Sequence, residues 1–278
     1  MLEAKTIGFL GAGSIAEALI HGLLAGGQVQ PSQLLVTNRR NRERLASLAS
    51  RYGVRTTCDR GAVVAEADIL VLACKPGDVA DLLQEVGPGT RPGQILLSLA
   101  AGISTETLRS LVNEGVQVVR AMPNTSAQVG ESATAFCLGA GAGEEARELS
   151  RAVLGAVGGV VEVPEHLMDA VTGLSGSGPA YVYLMVEALV AAGQEVGLAP
   201  SVARPLVIQT LKGAARMLEE TGEDPAVLRE KVTSPGGTTA AGLAVLRSAG
   251  FEEALIRAVQ AATERSRELG AAFAVKKW

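Results

Sequence analysis

Short apolar runs alternate with amphipathic stretches through the first half of this chain, and that alternation constrains the fold more than any other feature. Lys5–Leu10 (KTIGFL), Gln33–Thr37 (QLLVT), Val54–Thr57, Asp68–Ala73 (DILVLA), Gln94–Leu99 and Val116–Ala121 read as strands. Helical patterns lie between them near Ser14–Ala25, Asn41–Arg51, Asp78–Val86 and Thr105–Asn113. Nearly continuous apolar strands joined through helices imply a parallel sheet covered on both faces, because helical crossovers let neighbouring strands run the same way. A strand at Ala133–Leu138, a helix around Glu144–Leu154 and a strand near Gly159–Val163 extend that sheet. Residues 1–163 are expected to form one doubly wound, mostly parallel domain.

After Pro164 the strand signals stop. Ala180–Val196, Ser201–Thr221, Pro225–Val232, Thr239–Ala249 and Glu252–Phe273 read as helices, so residues 164–278 are expected to form an all-α domain. Phe251, Leu255, Val259, Ala262, Ser266, Leu269 and Phe273 step by three or four and share one helix face. That face suits either the domain's own core or a subunit interface.

Gly8-Phe9-Leu10-Gly11-Ala12-Gly13-Ser14-Ile15-Ala16 closes the first strand and opens the first helix. Gly11, Gly13 and Ala16 fit G-x-G-x-x-G/A, the turn that lets a pyrophosphate approach backbone N–H groups at a helix N-terminus. The first domain is therefore a Rossmann-type, dinucleotide-binding one. An NAD site usually ends its second strand on Asp or Glu, for the ribose 2′-hydroxyl. This chain has Thr37-Asn38-Arg39-Arg40, with the first acid at Glu43. Two guanidiniums suit a 2′-phosphate, so NADPH is expected, with NADH possible; the alternative is that both arginines are solvated. Cys74-Lys75-Pro76 and Ala100-Ala101-Gly102 follow the fourth and fifth strands, at the sheet end where such folds bind ligands.

Two glycine-rich segments stand out in the second half. Gly173–Pro179 (GLSGSGP) and Thr233–Thr239 (TSPGGTT) each lead into a helix, so each is either a capped loop or an anion site for a substrate carboxylate. Cys58, Cys74 and Cys137 are too far apart for a CxxC pair, and His21 and His166 have no neighbour at ligand spacing, so no metal site is expected. A net charge of −4 and 3% aromatic residues argue against nucleic-acid binding. The longest uncharged stretch, Ala18–Asn38, carries His21, Gln28, Gln30, Pro31 and Gln33, so no membrane span is read. Glu3 and Lys5 break any signal-peptide core, and a cytoplasmic protein is expected.

IGFLGAGSIAEAL, LACKP, RAMPNTSAQVGES, GLSGSGPAYVYLMVEAL and KVTSPGGTTAAGLAVL together resemble the pyrroline-5-carboxylate reductase family, over Thr6 to about Leu269. The resemblance implies NAD(P)H-dependent reduction of 1-pyrroline-5-carboxylate to L-proline, the last step of proline biosynthesis. It also implies a helical dimerisation domain that builds a homodimer or a higher homo-oligomer. Gly11, Ala12, Gly13, Ser14, Ile15, Asn38, Arg39, Arg40, Cys74, Lys75, Pro76 and Ala101 match the family's cofactor-contacting motifs. Ser234, Gly237, Thr238 and Thr239 match its substrate loop, and Glu165 matches an acid near the proline nitrogen; a plain first-turn helix carboxylate is the other reading of Glu165. Ser14-Ile15 replaces the common Asn-Met, and Lys231 and Arg60 stand where some members carry an amide, so neither is read as a ligand.

The chemistry agrees with the scarcity of histidine. A hydride added to a carbonyl makes an alkoxide that needs a placed acid, whereas an iminium becomes a neutral amine. Thr239 is expected to hydrogen-bond the ring nitrogen while the imine carbon faces the nicotinamide. A β-hydroxyacid dehydrogenase shares this architecture but needs a lysine on the helix after its GSG loop, and Pro179–Ala192 has none; Lys212 is the next. A non-catalytic nucleotide-binding module is the remaining alternative.

Overall fold

Leu10 is the last buried residue before the glycine turn, and the sheet is assembled around its strand. The structure is a computed structural model that describes residues 1–275, with side chains through residue 271, so Phe273 of the helical seam lies outside the described side chains. The chain runs β1 (Ile7–Leu10), α1 (Ser14–Ala25), β2 (Leu34–Thr37), α2 (Arg42–Tyr52), β3 (Arg55–Thr57), α3 (Arg60–Glu66), β4 (Ile69–Leu72) and α4 (Val79–Val86). It continues through β5 (Ile95–Ser98), α5 (Thr105–Arg109), β6 (Gln117–Met122), β7 (Ser132–Leu138), α6 (Glu144–Gly155), β8 (Gly158–Glu162) and α7 (Met168–Val171). Helices α8 (Gly178–Glu195), α9 (Pro200–Thr221), α10 (Pro225–Lys231), α11 (Thr238–Ser248) and α12 (Phe251–Val275) follow.

The eight strands form one sheet in the order β3-β2-β1-β4-β5-β6-β7-β8. Every pairing is parallel except β6 with β7. Only residues 123–131 join β6 to β7, too few for a helical crossover, so the chain turns back on itself. Alternate residues feed two cores. Ile7, Phe9, Ile69, Val71 and Leu97 pack beneath α1, α2 and α6, while Leu10, Leu70, Leu72 and Leu96 pack beneath α3, α4 and α5. Each fully buried side chain of this kind contributes about 1.5–3 kcal/mol.

The structure departs from the sequence pattern in two places on this sheet. Helix α3, capped by Asp59 accepting from the Ala62 N–H at 3.1 Å, is too short to show periodicity. Helix α5 ends at Arg109 rather than Asn113, because the Asn113 amide turns inward to donate to the Pro88 and Thr90 carbonyls at 3.0 and 2.6 Å.

Two compact units divide the chain: residues 1–177 with the stretch from Gln260 onward, and Gly178–Val259. In the first, the later half of α12 lies against the turn after β5. A Cβ on Gly270 would come within 2.9 Å of the Gly102 carbonyl oxygen. In the second, Gly193 on α8 lets Ala203 of α9 approach closely, since a Cβ there would come 3.0 Å from the Ala203 side chain. Ala203 is the one fully buried apolar residue in Gly178–Val259; Tyr183, Leu184, Leu206, Ile208 and Val245 are all exposed. A monomeric unit rarely leaves that much apolar surface open. Among the described residues, no helix is long and apolar enough to cross a membrane.

Candidate active site

The strand order reverses between β1 and β4, which opens a crevice at the carboxyl ends of the strands. Gly11 makes the turn out of β1 at φ +127°, where a Cβ would sit 2.5 Å from the Ala73 carbonyl oxygen. Only glycine fits there. Its N–H donates to the Thr37 carbonyl at 3.2 Å, tying the turn to the end of β2. Gly13 is the N-cap of α1 and offers no side-chain cap, which leaves that helix's first N–H groups for a ligand.

A cavity of about 360 Å³ occupies the crevice. Gly11, Ala12 and Gly13 line one side, Asn38, Arg39 and Arg40 another, and Cys74 and Lys75 a third. Pro76 lies outside the lining and opens the 3₁₀ turn Pro76–Asp78 behind Lys75. The Asn38 side-chain oxygen accepts from the Arg40 and Asn41 N–H groups at 3.1 and 3.0 Å, so it shapes the turn that presents both arginines. Arg60 also lines the cavity, with its guanidinium 2.6 Å from Glu85. Burial pushes the Cys74 thiol up to about 11, so it packs as a neutral group.

The residues fit a dinucleotide. Thr37 lines the cavity, is 1% exposed, and its hydroxyl oxygen has no hydrogen-bond partner among the described residues. An orphaned hydroxyl beside the glycine turn is a group awaiting a polar ligand. A second cavity of about 300 Å³ collects Ser14 and Ile15 from α1, Ala101 after β5, Met122 at the end of β6 with Pro123, Asn124 and Thr125 after it, and Gly176. The cofactor motifs thus fall in two cavities, apart from Pro76.

Arg44 escaped sequence reasoning. Its Nε donates to the Ala12 carbonyl at 2.9 Å and its Nη2 to Glu17 at 2.5 Å, holding the glycine turn from behind. Arg51 and Tyr52 also donate to Glu17, at 2.9 and 3.1 Å. The Arg44 hydrogen bond leads in holding the Glu17 carboxyl below the usual carboxylate range. Glu17 therefore stays ionised, and the guanidiniums of Arg44 and Arg51 offset its charge in the first turn of the helix facing the crevice.

Glu165 has its two oxygens engaged. They accept from the Thr105 N–H at 2.7 Å and the Thr105 hydroxyl at 2.5 Å, and one lies 3.6 Å from Arg120. Arg120, 6% exposed in mid-sheet, also lies 3.6 Å from Asp169, which accepts from the Ser266 hydroxyl at 2.7 Å. An arginine inside the apolar strand Val116–Ala121 was the signal for this buried ion group. Opposite it in β7, burial pushes the Cys137 thiol up to about 12.

The two glycine-rich segments differ. Gly173–Pro179 is not a loop ahead of a helix. Thr172–Gly176 is a π-helical turn continuing α7, and the Ser177 N–H is spent on the Thr172 carbonyl at 2.9 Å. That leaves the Ser177 N–H closed to an anion. Thr233–Thr239, within the second unit, keeps the expected form. The Gly237 N–H closes on the Ser234 carbonyl at 3.0 Å, and a Cβ at Gly237 would meet the Ser234 hydroxyl at 2.4 Å. Gly237 N-caps α11 without a side-chain cap, leaving the first-turn N–H groups at Thr238 and Thr239 open. Ser234, Thr238 and Thr239 are exposed on this loop. Lys231 is paired with Glu223 at 2.6 Å.

A doubly wound sheet with this glycine turn and two arginines after its second strand defines a nicotinamide-dinucleotide oxidoreductase. A family model described as NADP oxidoreductase, coenzyme F420-dependent, matches residues 6–102, and one described as pyrroline-5-carboxylate reductase dimerisation matches residues 165–269. The chain is 43% identical over 270 residues to pyrroline-5-carboxylate reductase 1 of Bacillus subtilis (strain 168), covering 97% of this chain and 91% of that one. It is 41% identical to pyrroline-5-carboxylate reductase of Arabidopsis thaliana, covering 96% of each. A solved pyrroline-5-carboxylate reductase from Coxiella burnetii superposes with a TM-score of 0.90 at 36% identity, covering 96% of this chain and 99% of that one. A Plasmodium falciparum pyrroline carboxylate reductase solved with NADP bound gives 0.86 at 29% identity, with the same coverage. The chain belongs to the pyrroline-5-carboxylate reductase family.

Proposed function

We propose that this chain reduces 1-pyrroline-5-carboxylate to L-proline, with NADPH as the preferred reductant. The observation that carries the reading is the crevice at Gly11–Ser14, closed onto Ala73 and flanked by Arg39 and Arg40, in a chain of this family. When bound, the reduced nicotinamide supplies a hydride. The glycine turn and the open first turn of α1 would hold the pyrophosphate, and Arg39 and Arg40 a 2′-phosphate, whose charge they complement. Ser14, Ile15 and Ala101 would line the nicotinamide's cavity.

The substrate's carboxylate suits the loop Ser234–Thr239, where the α11 N-terminus offers N–H groups and three hydroxyls with no acidic residue among them. Thr239 would hydrogen-bond the ring nitrogen. Protonated at that nitrogen, the C=N carbon accepts a hydride and leaves a neutral amine, so positioning suffices and no acid–base dyad is required. The two hydrogen bonds from Thr105 and the ion pair with Arg120 support a positioning role for Glu165. The exposed apolar residues of Gly178–Val259 support a homodimer or larger assembly, and three unpaired cysteines support a cytoplasmic location.

The test is loss of NADPH absorbance on adding 1-pyrroline-5-carboxylate, with NADH compared on the same substrate. Turnover faster with NADPH is expected; intact nucleotide binding without turnover refutes the reading. Thr239→Ala should lower kcat/KM about tenfold, or about 1.4 kcal/mol.

A further inference from the structure

Proline at position 179 follows the π-helical turn Thr172–Gly176 and carries no backbone N–H. Were the α-helical register of α8 carried back through this turn, the carbonyl of residue 175 would look to the N–H of residue 179, and Pro179 has none to give. The Ser175 carbonyl nevertheless has a donor from elsewhere in the fold: the Asn124 side-chain amide, at 3.0 Å. Asn124 is itself held rigidly. Its N–H donates to the Ser132 hydroxyl at 3.1 Å, and its side-chain oxygen accepts from the Ser126 N–H at 3.0 Å.

The segment so tethered is a wall of the second cavity. Ser175 sits in the π-helical turn Thr172–Gly176, and both Gly176 and Asn124 line that cavity. The fit is tight there, because a Cβ on Gly176 would come 2.6 Å from the terminal methyl of Met122. Wide turns of this kind survive where something outside the helix satisfies their carbonyls.

We propose that Asn124 is a positioning residue: its amide replaces the N–H that Pro179 lacks and so fixes Gly176 as a wall of the nicotinamide cavity. The role rests on reading that cavity as the nicotinamide's. It acts through Ser175 and needs no contact between Asn124 and either ligand.

The test uses Asn124→Ser, which keeps an oxygen for the Ser126 N–H but is too short to reach Ser175, alone and combined with Pro179→Ala, which restores the missing N–H. In the ligand-free protein, amide exchange at Gly176 and Ser177 should accelerate at least tenfold in Asn124→Ser and return towards the starting rate in the double variant. With 1-pyrroline-5-carboxylate and NADPH, kcat should fall about tenfold in the native background and less than threefold in the Pro179→Ala background. The dissociation constant of 2′,5′-ADP, which probes only the first cavity, should change less than twofold. Equal costs in both backgrounds, or unaltered exchange in Asn124→Ser, overturn the tether. Absence of turnover in the unmutated enzyme would instead defeat the functional reading and leave the exchange arm to decide the tether. If Asn124→Ser does not accumulate as folded protein, recovery of folded protein in the double variant supports the tether, and failure of both variants overturns it.

Discussion

Removing the Glu165 side chain separates a positioning role from direct substrate contact. Glu165→Ala deletes the acceptors at 2.7 and 2.5 Å for Thr105 and leaves Arg120 with Asp169 as its remaining partner at 3.6 Å. Charge-assisted hydrogen bonds contribute about 1.5–3 kcal/mol each. The Glu165 side chain is 32% exposed, so solvent screening reduces the pair to about 2–3 kcal/mol together. In a chain of this size, that lowers the melting temperature by about 5–10 °C. Glu165→Gln keeps an oxygen for the Thr105 N–H and loses the charge facing Arg120, so about 1 kcal/mol, or 2–4 °C, is expected. Differential scanning fluorimetry without ligand reads both shifts, and steady-state kinetics reads KM for the imine. A positioning role predicts that stability falls in this order while the Gln variant's KM rises less than about threefold. Unchanged melting temperatures with a tenfold or greater rise in KM would refute it and return the carboxylate to the substrate.

Other variants test the crevice. Arg44→Met removes the donor to the Ala12 carbonyl and should weaken NADPH binding by about 5–30-fold, or about 1–2 kcal/mol, in fluorescence titration. Glu17 ionises at lower pH folded than unfolded, so its support is present above the unfolded value and lost as pH falls through the folded one. NADPH affinity and stability should therefore both decline below the ordinary carboxylate range, and Glu17→Gln should flatten that limb. Gly11→Ala should abolish nucleotide binding in the same titration, because its Cβ would meet the Ala73 carbonyl at 2.5 Å. With burial pushing its thiol up to about 11, Cys74 stays protonated at pH 8; a disulfide reagent should modify exposed Cys58 first and Cys74 only in strongly alkaline solution, as mass mapping would show.

Much of the first unit was legible because burial on both faces leaves a direct trace in composition. Ile69–Leu72 is ILVL and Ile95–Ser98 is ILLS, β-branched and leucine-rich runs of the kind a central parallel strand carries. The glycine turn and the paired arginines were legible for a similar reason: each residue type has a narrow stereochemical or electrostatic use. What stayed hidden depends on contacts distant in sequence. Glu165 meets Thr105 across 60 positions, and Asn124 meets Ser175 across 51. The π-helical turn was hidden because GLSGSGP carries loop residues, and its helical geometry rests on an outside donor. The reversal of β7 was readable in principle, since residues 123–131 cannot hold a crossover helix.

The stretch from Gln260 onward belongs to the same compact unit as residues 1–177, so in topology the second unit is an insertion within the first. The Rossmann portion is thus a discontinuous fold, and no single cut releases it whole. A fragment ending at Ser177 would bare Gly102 and strip Asp169 of the Ser266 hydroxyl. Excising Gly178–Val259 and joining Ser177 to Gln260 through a flexible linker is the route to a minimal nucleotide-binding protein. Supplying the terminal helical segment as a separate peptide should restore order to the truncated fragment.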